Sequence, residues 1–309
     1  MQIIKPNTNI NFVGHKNLAM IFSWILIMIG IFSMVSKGGL NYGLDFAGGS
    51  LVQVKMSKVT TAAEMRETLS PLELKGMTIQ QVGDLSDEFL IKAQESSSKT
   101  ESLANNIQQA LEGHYGTGTV DIRRAEMVGP QVGKELRYKG MMAIVYAIIG
   151  MLIYITFRFE FRFGVGVVIA LLHDVLITLA IFSVLNKEID LTVVAAFLTI
   201  VGYSVNDSVI ICDRIRENMA RHVGHKLDWI INRSLNDTLS RTVMTSAFTM
   251  LSLLSLYFLG GDVLRNFSLA MIIGIIVGTH SSIFVAAPVI LYFDKDKDKD
   301  VTVPAAVNT

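Results

Sequence analysis

Residues 199–218 read TIVGYSVNDSVIICDRIREN, and this stretch decides what kind of chain this is. Between Asp190 and Asp213 the only ionisable carboxylate is Asp207. The rest of that window is apolar, small or uncharged, and it reaches the roughly 20 helical residues needed to cross a hydrocarbon core. A carboxylate in that setting costs roughly 3 kcal/mol on insertion scales, so it calls for a partner and points to a function. The reading that follows is a membrane machine in which Asp207 is the proton-coupling residue.

Composition agrees with a membrane protein. The 309 residues are 51% hydrophobic and only 17% charged, where a soluble domain carries about a quarter charged residues. Lys plus Arg balance Asp plus Glu, which argues against nucleic acid as a partner. The single cysteine, Cys212, excludes an internal disulfide and a cysteine-rich metal site. The polar N-terminus precedes a long apolar run with no small-residue cleavage end. That run therefore reads as an anchor rather than a removed signal peptide.

Uncharged windows give six spans: 17–36, 140–157, 163–186, the opening run, 242–261 and 266–293. The second window is the shortest. His173 and Asp174 interrupt the third, and His280 lies in the sixth. Basic residues concentrate in the link 158–162 and in the link from Asp213 to Arg241, whereas NKEID and GGDVLRN are poor in them. Basic loops stay cytoplasmic. The expected layout is a cytoplasmic N-terminus over 1–17, a first transmembrane helix over 18–36 and a periplasmic α+β domain over 37–138. Helices two to six occupy 139–293, and a cytoplasmic tail 294–309.

The outer segment has the pattern of a folded domain. Residues 50–56 alternate as a strand. Residues 61–69 read as a helix opened by Thr60 or Thr61 with Glu64 in a capping box. Strands over 77–82 and 88–93 flank a turn at 83–86. A helix over 100–111 ends near Gly113, and a strand covers 119–124. This β-α-β-β-α-β order is the split, ferredoxin-like arrangement. The domain carries no clustered His/Asp/Glu set. It reads as a binding or force-transmitting module, or as a plain spacer. The charge-alternating DKDKDKD from residue 294 reads as a solvated tail.

Several polar groups fall inside the spans. Ser204, Asn206 and Ser208 surround Asp207, making a sector that should face other helices or a wet cavity. Arg241 opens RTVMTS and stands at helical spacing with Thr245, Thr249 and Ser252. It reads either as the partner of Asp207 or as a cation snorkelling to the interface. Burial favours the neutral acid and a nearby cation the ionised one, so the distance between helices could gate protonation. His173 and Asp174 are adjacent and should point apart, so one of them joins the seam or makes a structural contact between helices. Asp213, which closes the run, and Thr245 are expected to join the polar seam around Asp207. His280 reads as a packing residue. Ala270, Gly274, Gly278, Ser282 and Ala286 recur every four residues and predict a close helix–helix interface. GLDFAGG at 43–49 reads as a turn. No phosphate-binding loop, nucleophile elbow or metal-ligand spacing is present, so neither an enzyme nor a bound cofactor is expected.

Six pieces in order resemble one family: GLDFAGG, VGPQVG at 128–133, LHDV at 172–175, VGYSVNDSVIICDRIREN, NRSLNDTLSRTVMTS at 232–246, and GTHSSIFVAAP in the last span. The chain is similar to the SecF family, membrane subunits of bacterial protein export. The resemblance covers residues 10–293. It implies six transmembrane helices forming half of a resistance-nodulation-division-type bundle, in the bacterial inner membrane. It implies SecD as the other half, SecYEG as the channel alongside, YajC and YidC as further candidate neighbours, and an unfolded exported polypeptide as cargo. It implies use of the proton gradient, with the coupling acid at Asp207, its arginine at Arg241 and a second acid on SecD. Two other readings are a small-molecule exporter half of the same superfamily and a structural subunit without proton coupling.

Overall fold

The computed structural model describes residues 8–74, 76–82, 87–93 and 100–294. The expected turn at 83–86 and the charge-alternating tail beyond residue 294 lie outside them. The described chain has two main cores. One is an apolar bundle centred on Phe163, Val167, Leu171, Phe197, Ile200 and Ile215. The other lies under the sheet and contains Val52, Val54, Met65, Phe89, Ile91, Ile107 and Leu111.

Helix α1 (Lys16–Ser36) leads to a one-turn helix α2 (Leu44–Ala47). The sheet domain follows: β1 (Gly49–Met56), α3 (Ala62–Leu69), β2 (Thr78–Gln81), β3 (Glu88–Ala93), α4 (Thr100–Tyr115) and β4 (Val120–Val128). Strand order is β2-β3-β1-β4 with every neighbouring pair antiparallel. That is the ferredoxin-like arrangement expected from the element order. Thr61 caps α3: its hydroxyl accepts from the Glu64 N–H, and the Glu64 carboxylate accepts from the Thr61 N–H. Alternation along β1 buries Val52, Val54 and Met56 towards the helices. Its other face, with Gln53, looks onto a cleft of about 1160 Å³ shared with residues 185–192 between α6 and α7 and with Arg265 and Asn266.

Two boundaries differ from the sequence reading. Helix α4 runs through Gly113 and stops at Gly116, whose φ of 107° is the left-handed terminator. Strand β4 continues to Val128 because Gly49–Val52 of β1 pair with its second half. Pairing across the sheet overrides a weak local pattern.

The bundle continues with α5 (Pro130–Arg158), α6 (Phe161–Val184), α7 (Leu191–Arg221), α8 (Leu227–Leu259) and α9 (Gly261–Ser281). A π-turn over Ser282–Ala286 joins α9 to α10 (Ala287–Asp294). Among the described residues, six segments are long and apolar enough to cross a membrane. Several helices outrun their uncharged windows. α5 begins at Pro130 and is 29 residues long, so the second span is not the shortest. The stretch from Asp213 to Arg241 is mostly helix. The ends of α7 and α8 extend together, tied by Arg214 to Asp237 at 3.0 Å and by Asn218 to Ser234 at 3.0 Å. Charged residues end an apolar window without ending a helix, because at the membrane surface they are solvated or paired.

Two of the quoted motifs meet. Phe46 in α2 packs its backbone on Gly133 and its ring near Gly140 of α5, where a Cβ at Gly133 would stand 3.0 Å from the Phe46 carbonyl oxygen. GLDFAGG is therefore not a plain turn. It is a short helix docked on the start of α5, and Gly48, at φ 75°, swings the chain into β1.

Candidate functional site

Helix α7 is the best buried of the long helices after α6, and its polar groups sit where α6, α8 and α9 converge on it. The close approach comes from α9. Ala270, Gly274, Gly278, Ser282 and Ala286 are all buried, as their spacing predicted. A Cβ at Gly274 would collide with Ile200, and one at Gly278 would lie 3.3 Å from Ser204 and 3.6 Å from the Asp174 carboxylate. Small residues on α9 thus bring polar groups of α6 and α7 together in the apolar interior.

The first polar group is Asp174. It is fully buried. Ser204 of α7 donates its hydroxyl to Asp174 Oδ2 at 2.6 Å, and His173 Nδ1 lies 3.2 Å from Asp174 Oδ1. His173 and Asp174 are therefore a mutual pair, against the expectation that neighbours on a helix point apart. α6 is packed by α1, α7 and α9, so its buried face is wide enough to hold both side chains. His280 of α9 stacks on the His173 ring, centroids 6.1 Å apart at 15°, and packs on Phe284.

The second group is Asp207, about one turn further along α7. It is 1% exposed, and neither carboxylate oxygen has a hydrogen-bond partner. Ser208 and Thr242 of α8 are equally buried, and their hydroxyls are also unpartnered. A buried polar group without a partner is costly, so this cluster stands out in an otherwise apolar interior. Arg241 of α8 is exposed, and Asp207 makes no hydrogen bond to it. The arrangement is not a closed ion pair.

The other expected seam residues divide. Asn206 is exposed on the outer face of α7. Asp213 is exposed and pairs with Arg158 at 3.6 Å, away from the seam. Thr245 and Thr249 donate to the carbonyls of Arg241 and Thr245 in their own helix at 3.1 and 2.9 Å. Most of the hydroxyl stripe is thus satisfied locally, while Tyr203 to Thr249 (3.5 Å) and Ser246 to Thr279 (2.9 Å) bridge helices.

Sequence reasoning missed the N-terminal end of α7. Asp190 caps it by accepting from the Val193 N–H at 2.9 Å, and Asp45 from GLDFAGG accepts from the Leu191 N–H at 3.0 Å. Lys92 of β3 pairs with Glu188 in the α6–α7 loop, and Asn266 of α9 donates to the Glu188 carbonyl. The one available signal was a lone Asp inside a glycine-rich motif.

Comparison with known proteins falls on the same pieces. A family model for the SecD/SecF protein export membrane protein, C-terminal part, matches residues 107–296, and one for the SecD/SecF GG motif matches residues 32–58. The chain belongs to the SecF family of protein translocase subunits. Within it, the SecF translocase subunit of Magnetococcus marinus is 43% identical, covering 100% of both chains. That of Calditerrivibrio nitroreducens is 42% identical over 93% of this chain and 95% of its own. Among solved structures, SecDF from Thermus thermophilus, described as a translocon-associated membrane protein, superposes with a TM-score of 0.82 at 36% identity. That match covers 94% of this chain and 39% of the SecDF chain. SecDF in a super-membrane-facing form matches with a TM-score of 0.70, 35% identity and 97% coverage, again over 40% of its own length. The SecF family thus accounts for both the six-helix bundle and the small sheet domain.

Proposed function

We propose that this chain is the SecF-type half of a proton-driven export device, in which Asp207 takes up and releases the proton and Arg241 biases its charge state. The observation that carries the reading is the carboxyl of Asp207, buried in an apolar span with no hydrogen bond, on a helix packed against the one that carries Arg241. One proton crossing 100 mV supplies about 2.3 kcal/mol. Ionised Asp207 draws Arg241 and α8 inward, and neutral Asp207 releases them. α7 carries that shift to its outer end, 17 residues or about 25 Å away, where Asp45 and Glu188 join it to the sheet domain.

The family resemblance supports our reading of the rest of the assembly. SecD supplies the other half of the bundle and a second acid, and SecYEG supplies the channel, with YajC and YidC as further neighbours. Residues 37–138 lie in the periplasm, and both termini lie in the cytoplasm of a bacterial inner-membrane protein. The sheet domain then stands on the side where an unfolded polypeptide emerges.

The test is Asp207→Asn in inverted vesicles containing SecD and SecYEG. Export should lose its dependence on the proton gradient while ATP-driven export persists. Unchanged gradient dependence would remove the coupling role and leave a structural subunit. Arg241→Met should produce the same loss, and the double variant should be no worse than either single one.

A further inference from the structure

The packing of α1 on α6 leaves a membrane-level pocket with two polar atoms that bond to nothing. The two helices meet through a ladder of constant offset. The Ser183 hydroxyl donates to that of Ser33 at 3.1 Å, Gly30 lets α1 lie directly on Ala180, and Ile27 packs with Ile177. Each pair differs by 150 in number, and the next step of the ladder sets Ser23 against His173.

Both residues are more than nine-tenths buried: Ser23 is 3% exposed and His173 8%. Ser23 Oγ has no partner, so it does not take the usual escape of bonding a carbonyl of its own helix. His173 Nε2 has none either, although Nδ1 is engaged by Asp174. Between them lies a cavity of about 210 Å³ whose remaining walls are apolar, among them Met20, Ile169 and Val285. Trp24, Leu172 and Leu176 line it and are also exposed on the outside of the bundle. They belong to apolar spans, so the opening faces lipid rather than water.

The chemistry narrows the occupant. A water needs about 10–15 Å³ and two to four polar partners, so two atoms can hold one water but not fill this space. An acyl chain fills the space and leaves both polar atoms unpaired. With the Asp174 carboxylate accepting from Nδ1–H, His173 Nε2 is left as an acceptor, while Ser23 offers an O–H. A carbonyl group could accept from Ser23 but would face the Nε2 lone pair. A hydroxyl answers both: it donates to Nε2 and accepts from Ser23. A dry cavity of about 150 Å³ holds a benzene ring, so this one has room for a short aliphatic or aromatic body.

We propose that α1 and α6 form a lipid-accessible site for an uncharged amphiphile with an apolar body and one hydroxyl head, held between Ser23 and His173. The site is separate from the Asp207 reading, and its test does not use export.

The probe is an octanol bearing a photoactivatable diazirine on its chain, applied to membranes containing the full chain with SecD. Adducts should concentrate on Met20, Trp24 and Leu176. Excess octanol should compete at least fivefold better than octane at equal membrane concentration. Ser23→Ala should lower labelling at least fivefold with folding intact, and Leu176→Trp, which fills the pocket, should abolish it. Adducts spread evenly along the lipid face of α1 would overturn the proposal. So would competition by octane as strong as by octanol, or labelling indifferent to Ser23→Ala.

Discussion

The carboxylate of Asp45 accepts the backbone N–H of Leu191 at 3.0 Å, joining residues 146 positions apart. It completes a helix end that Asp190 already caps through Val193 and Thr192. Two acids at one helix N-terminus satisfy otherwise orphaned donors and complement the helix dipole. The GG segment, through Asp45, therefore fixes where the helix bearing Asp207 begins.

Removing this contact should be measurable without any export assay. Asp45→Ala leaves the Leu191 N–H unpaired and should cost about 0.5–2 kcal/mol, the usual value of a cap. Asp45→Asn keeps an acceptor and should cost less. Thermal unfolding in detergent reads the first effect and hydrogen exchange at Leu191 localises it. An Asp45→Ala protein with unchanged melting and unchanged exchange would show that the contact holds nothing.

Lys92 and Glu188 join the open face of the sheet to the bundle, and both side chains are about one-fifth to one-quarter exposed. Reversing one charge should loosen the sheet domain by about 1 kcal/mol, the upper end for a partly solvated pair. Limited proteolysis around the α6–α7 loop should then proceed faster in Lys92→Glu and in Glu188→Lys. The double reversal should restore the slower rate. If the double variant is cut as fast as either single one, the pair is incidental.

Asp207→Asn separates stability from function. The carboxyl makes no hydrogen bond, so the substitution breaks none and removes a buried ionisable group. Detergent-solubilised protein should unfold at the same or a slightly higher temperature, even as gradient-driven export falls. A marked loss of stability would mean Asp207 is bonded in the folded protein, and the export defect would then have a structural cause.

Much of this architecture was legible in the sequence for definite reasons. Apolar windows located the six spans because lipid demands them, and alternation with a capping box located the sheet domain. The four-residue recurrence on the last span announced a close helix contact, although not that α7 is the partner. Helix length was not legible, because Arg214, Asp237 and their neighbours pair with one another beyond the membrane surface and let α7 and α8 continue. The His173–Asp174 pair was hidden because neighbour geometry on a helix says nothing about how many sides of that helix are buried. Asp45 was hidden because its partner is a backbone amide contributed by a distant segment. Asp207 itself stood out, since a lone charge in an apolar run is visible without any fold.

The α7–α9 contact makes the sharpest packing prediction. Gly274 faces Ile200 so closely that any Cβ must displace that side chain. Ile200 is 1% exposed and packed within the main core. Gly274→Ala should therefore destabilise by about 1–3 kcal/mol, the range for overpacking a filled interior, even though Ala has the better helix propensity. Ile200→Val removes one methylene and should recover part of that loss when combined with Gly274→Ala, because the two changes share one contact. A double variant whose melting temperature equals the sum of the single effects would show that the helices separate along their length instead of repacking at this point. In that case Ser204 and Asp174, one turn away beside Gly278, should also lose their hydrogen bond. Slowed or unchanged exchange of the Ser204 amide in Gly274→Ala would tell the local outcome from the global one.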